Sequence, residues 1–155
     1  MDFPAKEIVL SKTKRIVCVL AGVLALITGF GNGAASAAPS PAAENVMTVT
    51  SGNYAEVMNI SKQKLVIMDF GATWCPPCRQ MKPVIERLAG EYGGKFLLGE
   101  VDVDQSKDLS TKYNIRYLPT LVGVRNSAEL PSARNIGYPG ETKLRAWIDA
   151  QLKKG

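Results

Sequence analysis

The chain has 155 residues, with 19 lysines and arginines, 14 aspartates and glutamates and no histidine, which gives a formal net charge of +5. Its basic residues are scattered among acidic ones without a Lys/Arg run, so the composition gives no support to nucleic-acid binding. The chain contains only three cysteines and no histidine, which argues against a zinc site because such a site needs about four ligands.

The first 37 residues have the pattern of an export signal. Lys12, Lys14 and Arg15 precede an uncharged run over residues 16–30. Ala35-Ser36-Ala37 then fits a small-residue cleavage site. The apolar run is shorter than the roughly 20 residues that a transmembrane helix needs. We therefore predict a cleaved signal peptide over residues 1–37, with membrane anchoring by an uncleaved leader as the alternative.

The residues after this leader predict one exported domain. Residues 38–45 are rich in Ala and Pro, which indicates a flexible spacer. Residues 46–155 have the length of a single domain. Cys18 lies in the leader, so Cys75 and Cys78 are the cysteines that remain after cleavage. The exported protein, most simply in the periplasm, would keep only this pair. We therefore favour a working redox couple over a structural disulfide.

The domain begins with a predicted short edge strand at Val46–Val49 and a helix capped by Ser51 or Asn53. Leu65–Phe70 is apolar on both faces except at Asp69, which is typical of a central buried strand. A lone aspartate in such a strand should have a pKa raised by desolvation, which suits a proton carrier near neutral pH.

Two cysteines separated by two residues follow this strand, in the sequence Trp74-Cys75-Pro76-Pro77-Cys78. Cys75 is expected at a helix start, where free N–H groups and the helix dipole favour an anion. Lowering a thiol pKa from about 8.5 to about 7 is worth about 2 kcal/mol and makes Cys75 a nucleophile. Cys78 is expected to be more buried and to attack a mixed disulfide held on Cys75. A copper(I) site and a purely structural disulfide are the alternatives for this pair.

The remaining chain alternates predicted helices and strands. A helix after Cys78 contains Pro83 and ends at Gly93-Gly94. The further elements are a strand at Phe96–Val103, a helix through Tyr113 that Ser106 can cap, and a last helix at Glu141–Lys153. Between these helices lie strands at Thr120–Arg125 and Ala133–Gly137, joined by a hairpin loop that contains Asn126, Ser127 and Pro131. The order β-α-β-α-β-α-β-β-α predicts an α/β domain whose mixed sheet of four to five strands carries helices on both faces.

Three segments carry a family resemblance: Asp69–Cys78, Val101–Gln105 and Tyr113–Thr120. With them the chain resembles thioredoxin over about Val46–Leu152, and the thioredoxin fold is the fold that this resemblance implies. It implies that Cys75 is the attacking thiol and Cys78 the resolving thiol.

The resemblance also implies roles for residues around the pair. Asp69 would relay a proton to or from Cys78, and Pro119 would follow a cis peptide bond. That bond would turn the backbone of Leu118 toward an extended substrate segment. Trp74 and Pro76 would belong to the same substrate-binding surface, with Trp74 as an exposed lid beside the first cysteine.

Two positions depart from the family pattern. Gly71 stands where thioredoxins usually have tryptophan, which should loosen the packing beside the site. Glu100 stands where bacterial thioredoxins often have a lysine near the buried aspartate. If Glu100 points inward, the two carboxylates should raise each other's pKa.

The sequence thus predicts a monomeric protein-disulfide reductase that works outside the cytoplasm by dithiol–disulfide exchange, without cofactor or metal. Its expected partners are client proteins with disulfides and a membrane thiol donor that re-reduces the pair. The alternatives are a disulfide oxidase or isomerase, and a noncatalytic module that binds a partner or carries copper(I).

Overall fold

The computed structural model describes residues 45–154; the predicted signal peptide and residues 38–44 of the predicted spacer lie outside the described residues. The described elements follow the predicted order. They are β1 (Val46–Thr48), α1 (Tyr54–Ile60), β2 (Leu65–Gly71), α2 (Pro76–Glu91), β3 (Phe96–Asp102), α3 (Lys107–Lys112), β4 (Thr120–Arg125), β5 (Ala128–Ile136) and α4 (Glu141–Leu152). Within residues 45–154 no helix is long and apolar enough to cross a membrane.

The strands form one five-stranded sheet in the order β1-β3-β2-β4-β5. The first three strands pair in parallel, and β4 runs antiparallel to both β2 and β5. β2 is therefore central, as its apolar sequence predicts, and the mixed α/β sheet is confirmed.

The sheet separates two hydrophobic layers because alternate residues of a strand face opposite sides. On one side Val66, Met68 and Phe70 pack with residues of α1 and α3. On the other side Leu65 and Ile67 pack with residues of α2 and α4. Asp69 and Gly71 continue the second set along β2, so both lie on the α2 side. This alternation places the predicted proton carrier on the same side of the sheet as the cysteine helix.

The hairpin differs from its prediction because the second strand is longer. β5 begins at Ala128, directly after a tight turn in which Asn126 and Ser127 have φ angles of 53° and 63°. The Ser127 N–H donates to Ser61 Oγ at 2.8 Å, which fixes this turn against the end of α1. Pro131 suggested a loop, but an edge strand tolerates proline.

Two predicted helix caps are also wrong. Asn53 occupies the N-cap position of α1, but its side-chain oxygen accepts from the Thr50 N–H at 2.8 Å instead of capping the helix. The Ser51 hydroxyl donates to Asp108 at 2.6 Å. Ser106 precedes α3 without a side-chain cap. Capping side chains also form turns, and sequence alone does not decide between these two uses.

Both edges of the sheet are short or interrupted. β1 has three residues. β5 contains Pro131, and an ion pair joins Arg134 to Glu129 at 2.6 Å on the same strand. β-Sheet edges with such features offer little continuous backbone for pairing with another chain.

Gly99 on β3 packs tightly against Val49 in the loop after β1. A Cβ atom at this position would lie 2.8 Å from Val49 Cγ2, and Val49 is fully buried. Close packing therefore requires glycine here.

Candidate active site

The two cysteines lie at the carboxyl end of the central strand and are joined by a disulfide. Cys75 is the N-cap residue of α2, and Cys78 lies in its first turn. Their Cα atoms are 5.3 Å apart. The Cys78 N–H donates to Cys75 Sγ at 3.3 Å. Because Pro76 and Pro77 have no N–H, the first backbone donor of the helix is that of Cys78.

The burial of the two cysteines differs from the prediction. Cys75 is 4% exposed and Cys78 is 9% exposed, so the expectation that Cys78 is the more buried one is wrong for this disulfide form. The two cysteines differ instead in their access to the surface. Cys75 lines an open groove of about 500 Å³, and Cys78 is not among the lining residues. A molecule in this groove would therefore meet Cys75 first.

The groove brings together three of the four residues that were predicted to bind substrate, and the fourth, Pro119, directly follows the lining residue Leu118. Trp74, Pro76 and Leu118 line it, and the Leu118–Pro119 peptide is cis, as the resemblance implies. Trp74 is 63% exposed, and its indole N–H donates to Asp104 Oδ2 at 2.7 Å. This hydrogen bond holds the lid residue beside the cysteines.

The backbone of Leu118 is open to a client segment. Pro119 accepts a hydrogen bond from the Gly137 N–H at 2.8 Å, which anchors the loop to the end of β5. Leu118 itself precedes β4, and its N–H and C=O have no hydrogen-bond partner among residues 45–154. An extended peptide can use such free groups by strand addition.

Asp69 is a carboxyl group in an apolar setting. Its Oδ1 is buried and accepts no hydrogen bond from the described residues. The pKa of Asp69 is raised from 3.8 to about 7. Burial is the largest cause, the neighbouring charge of Glu100 also raises the pKa, and Lys82 lowers it. A carboxyl group with this pKa can take or give a proton near neutral pH, as the sequence predicts.

Asp69 also lies on the cysteine side of the sheet. A Cβ atom on Gly71 would lie 3.5 Å from Cys78 Sγ, so this face of β2 meets the second cysteine. Asp69 is two residues earlier and projects to the same face. The absence of a side chain at Gly71 lets Cys78 approach the strand.

The two inward carboxylates share a lysine that sequence reasoning missed. Glu100 is the direct neighbour of Asp69 across the parallel strands, so it does lie beside the proton carrier. Lys82 on α2 forms an ion pair with Glu100, and a second one with Glu86 at 2.9 Å. The lysine expected on β3 is thus replaced by one from the helix. Its signal in the sequence is the spacing of four residues from Cys78, which puts both on one helix face.

Several residues that line the groove were not predicted, and two of them stand next to Leu118 in the chain. Tyr117 lines the groove and is 66% exposed, and Arg116 lies beside it. They are the two residues before Leu118, so their position close to the proline was the available signal. Within residues 45–154 no cluster of three or more His, Cys, Asp or Glu side chains could hold a metal ion.

A Cys-x-x-Cys disulfide at a helix start, with a groove on one side and a carboxyl of near-neutral pKa on the other, defines a site for dithiol–disulfide exchange. The family model described as thioredoxin matches residues 45–150. Thioredoxin C-2 of Corynebacterium nephridii is 39% identical over 87 residues, which are 56% of this chain and 79% of the relative. The thioredoxin of Staphylococcus haemolyticus is 35% identical over 69% of this chain and 98% of its own length.

Solved structures of thioredoxins are also similar to this chain. The X-ray structure of Fasciola hepatica thioredoxin has a TM-score of 0.61 and 34% identity over 68% of this chain and 97% of that one. The crystal structure of Malassezia sympodialis thioredoxin has the same TM-score at 29% identity, over 69% of this chain and 90% of its own. The chain belongs to the thioredoxin family. It is a thiol–disulfide oxidoreductase with Cys75 and Cys78 as its disulfide-capable pair.

Proposed function

We propose that this protein reduces disulfides of client proteins outside the cytoplasm and is re-reduced by a membrane thiol donor. The observation that carries the reductive direction is the poor supply of hydrogen-bond donors to Cys75. Among the described residues only the Cys78 N–H donates to its sulfur.

The direction of electron flow depends on how well the reduced thiolate is stabilised. Strong oxidants of this chemistry stabilise it, which makes their disulfide easy to reduce. Here Pro76 and Pro77 remove two N–H groups from the start of α2, and the chain has no histidine to place near the sulfur. The Cys75 thiolate is therefore less stabilised than the thiolate of a strong oxidant. The reduced pair is the better electron donor for this reason.

The reaction balances as two exchange steps. The Cys75 thiolate attacks a client disulfide, forms a mixed disulfide and releases one client thiolate, which takes up a proton. Asp69 then accepts the Cys78 proton, and the Cys78 thiolate attacks Cys75 Sγ and releases the second client thiolate. Two electrons pass to the client, and the pair is left as the disulfide seen here. The membrane thiol donor supplies the two electrons that restore it.

Client binding rests on the groove. An extended client segment can pair with the free backbone of Leu118, while its side chains contact Trp74 and Tyr117. Both aromatic rings are mostly exposed and offer apolar area beside the attacking sulfur.

The redox equilibrium of the pair against glutathione tests the direction. A potential near about −270 mV supports a reductant, whereas one above about −180 mV contradicts it and identifies an oxidant or isomerase. Pro76→His should raise the potential by at least about 30 mV, because a histidine there stabilises the thiolate by a factor of about ten.

Gln80→His is the matched control for that variant. Gln80 is exposed on the same helix beyond Cys78, so its histidine should leave the potential within about 10 mV of the parent value. Equal shifts in both variants would show that the donor supply at Cys75 does not set the potential.

The proposed compartment has its own test. N-terminal sequencing of the protein from its host should find a start near Ala38, in a fraction outside the cytoplasm. Thiol labelling should find the pair reduced when the membrane donor is present and oxidised when it is deleted. An intact leader in the membrane fraction would replace the cleaved form by the anchored one.

A further inference from the structure

A second concave surface lies at the end of the sheet opposite the cysteines. It has a volume of about 550 Å³, within the range of ligand sites. Its cationic lining comes from four places in the chain, and we call it the basic pocket. Its lining residues are Gln63, Lys64, Lys95, Arg125, Asp149, Leu152 and Lys153.

The strand directions fix its distance from the active site. Lys64 precedes β2 and Lys95 precedes β3, whereas Arg125 ends β4, which runs the other way. Cys75 follows the opposite end of β2. A strand of seven residues spans about 20 Å, so a molecule in the basic pocket does not touch the cysteines.

The charges in this pocket are unbalanced. Within residues 45–154, none of the four cations takes part in an ion pair. The one carboxylate, Asp149, accepts a hydrogen bond from the Tyr92 hydroxyl at 2.7 Å. The carboxyl end of α4 adds about half a negative charge. Four positive charges thus face about one and a half negative charges.

Arg125 provides an independent observation. Its Nε is buried and has no hydrogen-bond partner among residues 45–154. A buried donor of a charged group without an acceptor is unfavourable, so an anion held against this guanidinium would be compensated. Among basic side chains, the planar guanidinium best matches the oxygens of a phosphate group.

We propose that the basic pocket binds a phosphate group of a ligand other than the disulfide client. Lys95 and Lys153 would reach the phosphate from the exposed rim, and Arg125 would contact it from the floor. A free phosphate compound and a phospholipid headgroup offer the same chemistry, and the experiment below separates them.

The experiment measures two probes on the purified full chain. Pyrophosphate is titrated by calorimetry at constant ionic strength, and vesicles of phosphatidylglycerol or of phosphatidylcholine are tested by cosedimentation. Saturable pyrophosphate binding identifies a free phosphate ligand, whereas saturable binding only to phosphatidylglycerol vesicles identifies a headgroup. No saturable binding to either probe would overturn the proposal.

Matched variants decide whether the pocket is responsible. Lys95→Gln with Lys153→Gln removes two exposed cations of the rim, and should weaken the binding by at least about tenfold. Lys107→Gln with Lys143→Gln removes the same charge from exposed positions elsewhere, and should weaken it by less than about twofold. Equal loss in both would mean general charge attraction and would also overturn the proposal.

Arg125→Lys keeps the charge but loses the planar fork, so it should weaken binding less than the rim variant yet more than the control. Both double lysine variants should reduce insulin disulfides at the parent rate, because the basic pocket is remote from Cys75. Phosphate binding and the proposed reductase function are tested independently. If the Cys75/Cys78 pair has an oxidising potential, phosphate binding is unaffected. If phosphate does not bind, the redox potential of the pair is unaffected.

Discussion

Replacement of Asp69 by asparagine should change how stability depends on pH. Its carboxyl group has a pKa of about 7 in the folded protein, against an ordinary value of 3.8 for aspartate. Because the folded value is raised, the protonated form favours folding below pH about 4. That contribution is lost as the pH rises through 7. Asparagine resembles the protonated acid in size and does not ionise, so Asp69→Asn should keep the stability that the parent loses.

The size of the effect follows from the shift. A shift of about three pKa units at about 1.4 kcal/mol each gives about 4 kcal/mol. Some of Asp69 touches solvent, so this figure is the upper end. Between pH 5 and pH 6, the free energy of unfolding of the parent should fall by about 1.3 kcal/mol relative to the variant. Above pH 8 the difference should be constant.

Urea unfolding of the two oxidised proteins from pH 4 to pH 9 measures this difference, with equal m-values as a check that the unfolded states match. Asp108→Asn is the control. The Ser51 hydroxyl lowers the pKa of that exposed carboxyl, so this control should lose stability above pH 4 instead of gaining it. A difference between Asp69→Asn and its parent that stays constant from pH 4 to pH 9 would refute the reasoning.

Three other changes test the site and the core. Lys82→Met removes the cation that lowers the pKa of Asp69, so the resolving step at pH 7 should slow by roughly two- to threefold and its pH profile should move upward, as stopped-flow exchange would show. Cys78→Ser should accumulate mixed disulfides with clients on non-reducing gels, and Cys75→Ser should accumulate none; equal trapping would reverse the assigned roles. Gly99→Ala should lower the free energy of unfolding by about 1 to 3 kcal/mol in urea, and an unchanged value would show that the neighbouring valine can move aside.

Much of the fold follows from the sequence because local pattern and burial agree. The run at Leu65–Phe70 is apolar on both faces, and a strand buries both faces only in the middle of a sheet. This strand is central in the structure. The strand boundaries of the hairpin were not predictable in the same way. Asn126 and Ser127, which were predicted in the loop, form the whole turn with positive φ angles. Pro131 was counted in the loop as well, so the strand after the turn was placed too late.

The site was predictable where its residues are neighbours in the chain. Cys75, Cys78 and Trp74 lie within five positions, so one helix start brings them together. The pairing of Asp69 with Glu100 depends on the register of two parallel strands, and Lys82 reaches them from a helix. Register and side-chain reach are tertiary properties, which explains why Lys82 was not among the predicted site residues.

The interrupted edges of the sheet have a consequence for the proposed reduction of client proteins. Client segments with exposed backbone are prone to add to any free strand and to aggregate there. The three-residue β1 and the proline in β5 blunt both edges, while the backbone of Leu118 stays open beside Cys75. Under the proposed function, residues 45–154 would thus disfavour edge-to-edge association with a client and favour pairing beside the reactive cysteine.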